Sequence, residues 1–157
     1  MGFKMLGTVK TFCESVGIDT AAIPANILAL PVIRNGHLRT TVAQAVYTGA
    51  DRVPTRLEMG ARILRGSAAS RREVVAHEVA HLVAGFGADH GPRWRAIAVA
   101  LGCSGSATAT RALIDDIGSA HKTVAVCDGC GAELKRARRL NRGRAYKHPR
   151  CGSWIPC

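Results

Sequence analysis

Aromatic residues are scarce in this chain and acidic ones are outnumbered. Phe, Trp and Tyr make up 4% of the 157 residues, so any core must be chiefly aliphatic. The 11 Asp and Glu stand against 22 Lys and Arg, a formal net charge of +11. That excess points to anionic partners, nucleic acid above all, and carries no information about fold. No run of about 18 apolar residues occurs, which excludes a membrane-spanning helix of the usual kind. Lys4, Lys10 and Glu14 interrupt the N-terminal stretch, so no secretory signal is expected. Leu6 stands where a myristoylation motif wants Ser or Thr. With 47% hydrophobic and 21% charged residues the composition is globular. A monomer without membrane contact, cytoplasmic or associated with the nucleoid, is the expectation.

What is present is concentrated between Ser70 and Trp94. His77-Glu78-Val79-Ala80-His81 is an H-E-x-x-H motif. Histidines four apart lie on one face of a helix, so both imidazoles can reach one metal ion, with Glu78 beside them to accept a proton from water. Ser70 and Glu73 read as a capping box that starts the helix, and Val74, Val75, Val79, Leu82 and Val83 give it an apolar side. Gly85 and Gly87 stop it. His90 follows, just before a Gly91-Pro92 helix restart. The short return can bring His90 back as a third ligand, leaving a fourth position open for water, as in catalytic zinc sites. Trp94 is expected to pack against the wall of that site.

His77-Glu78-x-x-His81 followed by His90-Gly91-x-x-Trp94 resembles the signature of the SprT-like (Spartan-type) zinc metalloproteases. The resemblance implies zinc on His77, His81 and His90, and Glu78 as the catalytic glutamate. It also implies a small sheet preceding the active-site helix, whose edge strand aligns peptide substrate by β-addition. The metzincin spacing fails, because Ala84 and Gly87 occupy the positions of that motif's glycine and third histidine.

Elsewhere in the first 119 residues the pattern is weaker. Phe3, Leu6, Val9 and Phe12 recur at helical spacing, predicting a helix over residues 1 to about 20. Asn35-Gly36 predicts a turn pairing Pro31-Val32-Ile33 with His37 to Val42. Further strands are expected at Gln44 to Tyr47 and Arg56 to Met59, and helices at Pro92 to Leu101 and Thr108 to Ile117.

Residues 120–157 read as a second domain. Cys127-x-x-Cys130-Gly131 and His148-x-x-Cys151-Gly152 are two knuckles of the same spacing, predicting a structural metal site on Cys127, Cys130, His148 and Cys151. Cys157 is the alternative fourth ligand. SprT-like proteins commonly end in such a ribbon, usually with four cysteines. Ala132 to Arg139 and Arg144 to Tyr146 are predicted as its paired strands, joined by Asn141-Arg142-Gly143. The last 36 residues hold nine basic against two acidic residues, +7 of the total +11. Lys135, Arg136, Arg138, Arg139, Arg142 and Arg144 are the candidate phosphate contacts, with Tyr146 and Trp154 available to stack on unpaired bases.

The fold class expected is α+β: a zincin-like domain over residues 1–119, then a basic zinc ribbon over 120–157. The function expected is zinc-dependent hydrolysis of peptide bonds, using one catalytic and one structural Zn2+. By resemblance, the substrates are proteins bound or crosslinked to DNA, with single-stranded or unpaired DNA as the partner. Two other classes compete: a nucleic-acid-binding ribbon protein with a silent protease fold, and a zincin that cuts one specific partner.

Overall fold

The computed structural model describes residues 4–38, 40–108, 111–118, 122–136 and 139–155. Arg138 and Cys157, both singled out above, lie outside the described residues. The chain divides into two compact units, Met1–Gly118 and Ser119–Cys157, and is mixed α+β with small sheets. Among the described residues no helix is long and apolar enough to cross a membrane.

The first unit holds a four-stranded sheet of β1 (Lys4–Thr8), β2 (Pro31–Arg34), β3 (Ala43–Thr48) and β4 (Val53–Met59), in the order β1-β2-β4-β3. β1 and β2 are antiparallel, β2 and β4 parallel, β3 and β4 antiparallel. The N-terminal helix expected from residue 1 therefore begins later, as α1 (Val9–Ser15). Thr8 and Thr11 form a reciprocal capping box there, so the residues before Thr8 remain extended and pair with β2. The hairpin expected at Asn35-Gly36 does not form either. The Asn35 N–H donates to the Met59 carbonyl at 2.9 Å and its side-chain amide to Glu58 at 2.6 Å. These bonds draw β2 onto β4, and the described residues between Asn35 and β3 form no strand.

α2 (Ala25–Leu28) and a 3-10 turn (Ile63–Arg65) precede the long helix α3 (Ala68–Ala84). Val75, Val79 and Ala80 of α3 are fully buried with Val32, Leu57 and Met59 of the sheet. Truncating Leu57 to Ala would cost about 2–5 kcal/mol by opening a cavity there. The N-cap of α3 is Ser67, three residues before the predicted Ser70: its hydroxyl accepts from the Ser70 N–H at 3.1 Å. The Ser67 N–H donates to a carboxylate oxygen of Asp116, in α5 (Arg111–Ile117), at 2.8 Å. A carboxylate at that end also suits the helix dipole. α4 (Pro92–Ala100) starts on Pro92 and buries Trp94 and Ala98.

The second unit contains two hairpins, β5 (Lys122–Val126) with β6 (Glu133–Arg136) and β7 (Tyr146–Lys147) with β8 (Trp154–Ile155). The pairing predicted between residues 132–139 and 144–146 is not formed among the described residues. Each knuckle turns the chain back on its own flank, so the strands pair across the knuckles.

Candidate metal centres

Three imidazoles converge at the C-terminal half of α3. The Nε2 of His90 lies 3.2 Å from the Nε2 of His81 and 3.2 Å from that of His77. A tetrahedral ion with metal–nitrogen bonds near 2.0–2.1 Å requires nitrogens about 3.3–3.4 Å apart, so the donor set fits. His77 and His81 are one helical turn apart on α3, while His90 returns on the loop after it. That return needs backbone that most residues resist: Gly85, Gly87 and Asp89 have φ of 90°, 83° and 43°. Asp residues tolerate the left-handed region better than most, which suits position 89.

Trp94 forms the floor of this site. Its ring centroid is 4.7, 5.3 and 4.5 Å from those of His77, His81 and His90. Its Nε1 donates to the His77 carbonyl at 3.3 Å. Burial among like groups holds His77 and His81 below the usual imidazole range, His81 down to about 4. Both are therefore neutral near pH 7, the form that binds metal.

Glu78 stands beside the triad. Its Oε2 accepts the Ala45 N–H of the edge strand β3 at 2.9 Å. Burial pushes its carboxyl up to about 7, against the lowering effect of that N–H; a dication on the imidazoles would draw it down again. Two residues along β3, past a bulge between Val46 and Tyr47, the Tyr47 hydroxyl donates to the His81 carbonyl at 2.6 Å. Strand and helix are thus pinned together at two of the three motif residues, Glu78 and His81. The resulting cleft of 610 Å³ is lined by Ala43, Gln44, Tyr47, Phe86 and Asp89 with the triad and Glu78. Phe86 is exposed, packs edge-on against Tyr47 and lies under the Arg52 guanidinium.

The second unit gathers the other predicted ligand set: Cys127, Cys130, His148 and Cys151 form one group that can hold a metal ion. Sγ of Cys127 and Cys151 are 3.5 Å apart, and His148 Nδ1 is 3.5 Å from Cys130 Sγ and 3.3 Å from Cys151 Sγ. Around a zinc-sized ion, tetrahedral edges of about 3.8 Å between sulfurs and 3.6 Å between sulfur and nitrogen are needed, so this set fits too. The two knuckles share one backbone pattern. Cys127 N–H donates to Ala132 and Gly131 N–H to Cys127; His148 N–H donates to Ser153 and Gly152 N–H to His148. Gly131 and Gly152 have φ of 68° and 71°. His148 therefore occupies the place that Cys127 holds in the first knuckle.

Of the candidate phosphate contacts, Lys135, Arg136, Arg139, Arg142 and Arg144 are exposed. Lys135 pairs with Glu133 at 3.3 Å. The Arg136 guanidinium lies 5.6 Å from the Tyr146 ring, and the Lys147 ammonium 4.8 Å from Trp154, which is 59% exposed. Sequence reading missed Ala45, Tyr47 and Phe86 because their roles are set by contacts distant in the chain. Only the predicted strand at Gln44 to Tyr47 hinted at the first two. No family model, no curated protein and no solved structure matches this chain.

Proposed function

We propose that the chain is a zinc-dependent metalloendopeptidase of SprT-like type, with a zincin-like first unit and a zinc-ribbon second unit. Its substrates are proteins bound or crosslinked to DNA. The observation that carries this reading is the convergence of three imidazole Nε2 atoms beside a partly buried Glu78 carboxylate, in a cleft walled by an edge strand. His77, His81 and His90 would hold zinc, which would supply a lowered water pKa and polarisation of a peptide carbonyl. Glu78, steadied by the Ala45 N–H, takes the proton of the attacking water and passes it to the leaving amine. Trp94 keeps the first imidazole oriented, and burial keeps it neutral. Apart from the Ala45 N–H held by Glu78, the outer edge of β3 is available to lay an extended peptide across the cleft.

The ribbon's excess of basic side chains supports DNA as the partner, through phosphate contacts that tolerate any sequence. Its exposed Trp154 and the Arg136–Tyr146 pair favour unpaired bases. The same features also suit the second reading, a nucleic-acid-binding protein with a silent protease fold.

The test is cleavage of a DNA-binding protein, and of the chain itself, at low salt with and without single-stranded DNA. Wild type and Glu78→Gln are run side by side. Cleavage stimulated by DNA and lost in Glu78→Gln is the expected result. Cleavage indifferent to DNA points to a partner-specific protease. A zinc-loaded chain that binds DNA and cuts nothing favours the silent fold.

A further inference from the structure

A second, smaller cavity borders His77 and Glu78. It measures 110 Å³ and is lined also by Val42, Val74, Ala107, Thr108 and Leu113, together with Glu73 and Ser106. It shares only His77 and Glu78 with the larger cleft. An extended peptide whose carbonyl sits at the triad projects alternate side chains off its axis, so a residue flanking the cut meets this cavity.

We infer that this cavity is the specificity pocket of the protease, and that it takes an aliphatic side chain of Val to Leu size next to the scissile bond. This inference rests on the metalloendopeptidase reading above. Size and chemistry both select the side chain. A cavity of about 150 Å³ is what admits a benzene ring, so 110 Å³ is too small for Phe or Trp. Val42, Val74, Ala107 and Leu113 offer methyl groups; of the two hydroxyl residues in the lining, Ser106 already donates to the Thr108 carbonyl at 2.9 Å, and Thr108 also brings a methyl group.

Glu73 is the one charged group in the lining besides the motif residues, and it is already engaged. Its carboxylate accepts from the Ser104 N–H at 3.0 Å, from the Ser104 hydroxyl and from the Cys103 thiol at 3.3 Å. Burial raises its pKa, but these three donors outweigh that and hold it below the usual range. Glu73 thus anchors the 103–108 loop as the pocket's outer wall, and a Lys or Arg side chain would be too long for the space. A buried ammonium without a free partner is strongly disfavoured.

The test uses the zinc-loaded full chain with single-stranded DNA present, acting on a mixed peptide library, with cut sites read by mass spectrometry and Glu78→Gln as the blank. One position flanking the cut should be enriched several-fold in Val, Ile and Leu and depleted in Trp, Lys and Arg. Leu113→Ala should extend that same position to Phe and Met. Ala107→Val, at an exposed site that leaves the core intact, should narrow it to Ala and Val. Methyl NMR of Glu78→Gln supplies a readout independent of turnover: N-acetyl-leucinamide should shift Val42, Val74 and Leu113, and N-acetyl-argininamide should not.

Cleavage that depends on Glu78 but shows no flanking preference, or a preference unmoved by Leu113→Ala and Ala107→Val, overturns the pocket and leaves the protease reading standing. Selective methyl shifts without any cleavage uphold the pocket and overturn the protease. Neither cleavage nor shifts overturns both.

Discussion

Trp94 and His77 are joined twice: the indole N–H donates to the His77 carbonyl at 3.3 Å, and the two rings meet edge to face at 4.7 Å. The indole is fully buried, so it holds both the backbone and the imidazole of the first ligand. Removing it should act on stability and metal together. Trp94→Ala is expected to destabilise the first unit by about 3–5 kcal/mol. Trp94→Phe, which keeps a ring and loses the donor, should cost less. Urea unfolding measures the first effect, and metal content per chain after dialysis measures the second.

The second unit has little core of its own: Cys127 and Ile155 are its buried apolar residues among those described. A unit this small would depend for folding on an ion held by Cys127, Cys130, His148 and Cys151. Chelation should therefore collapse the amide dispersion of residues 122–155 in an NMR spectrum, while the residues of the α3–sheet core keep theirs. Retention of both sets after complete metal removal would show that the ribbon folds without an ion.

His148 sits in the register of Cys127, so a thiolate there meets the same geometry. His148→Cys should keep the metal and add a fourth sulfur, whereas His148→Ala should weaken binding. Cobalt substitution reads this directly. The sulfur-to-cobalt charge-transfer absorption should rise in His148→Cys relative to wild type.

Glu58 is 1% exposed, yet it accepts from Asn35 at 2.6 Å, Gln44 at 2.8 Å and Arg56 at 2.7 Å. Burial alone would raise its pKa, but these donors outweigh it and the folded value is lowered. Its stabilising contribution is then complete above the unfolded value of about 4.3 and is lost as pH falls through the lower folded value. Glu58→Gln should flatten the acid limb of a stability profile taken from about pH 3 to 7. Asn35→Ala, which strips one donor from a buried carboxylate, should cost about 1–3 kcal/mol.

Binding to single-stranded DNA should weaken as salt rises. Each phosphate contact adds about 0.7 to the slope of log K against log salt for a single strand. Arg136→Glu and Arg139→Glu should each reduce the slope by about that amount or more. Trp154→Ala should lower affinity with the slope unchanged, because stacking releases no counterions. Fluorescence anisotropy across a salt series checks both, and a Trp154→Ala effect confined to the slope would rule out stacking.

The sequence determined what is written in short-range spacing. His77 and His81 share a helical face because they are four residues apart, and the structure brings them together with His90. The two knuckles were legible for the same reason, each being four residues and a glycine. Local spacing does not encode which distant segments meet. Residues 4–8 carry a helix-like apolar pattern, but pairing with β2 made them a strand. Asn35-Gly36 looks like a hairpin turn, but hydrogen bonds to Met59 and Glu58 sent the chain elsewhere. Ser70 and Glu73 match a capping box, but Ser67 caps the helix and Glu73 ties down Ser104. The parts of the site decided this way are the Ala45 and Tyr47 pins and the Val42–Leu113 cavity. Each joins residues tens of positions apart in the chain. The physical reason is that burial and hydrogen bonding across the fold outweigh local preferences worth less than about 1 kcal/mol per residue.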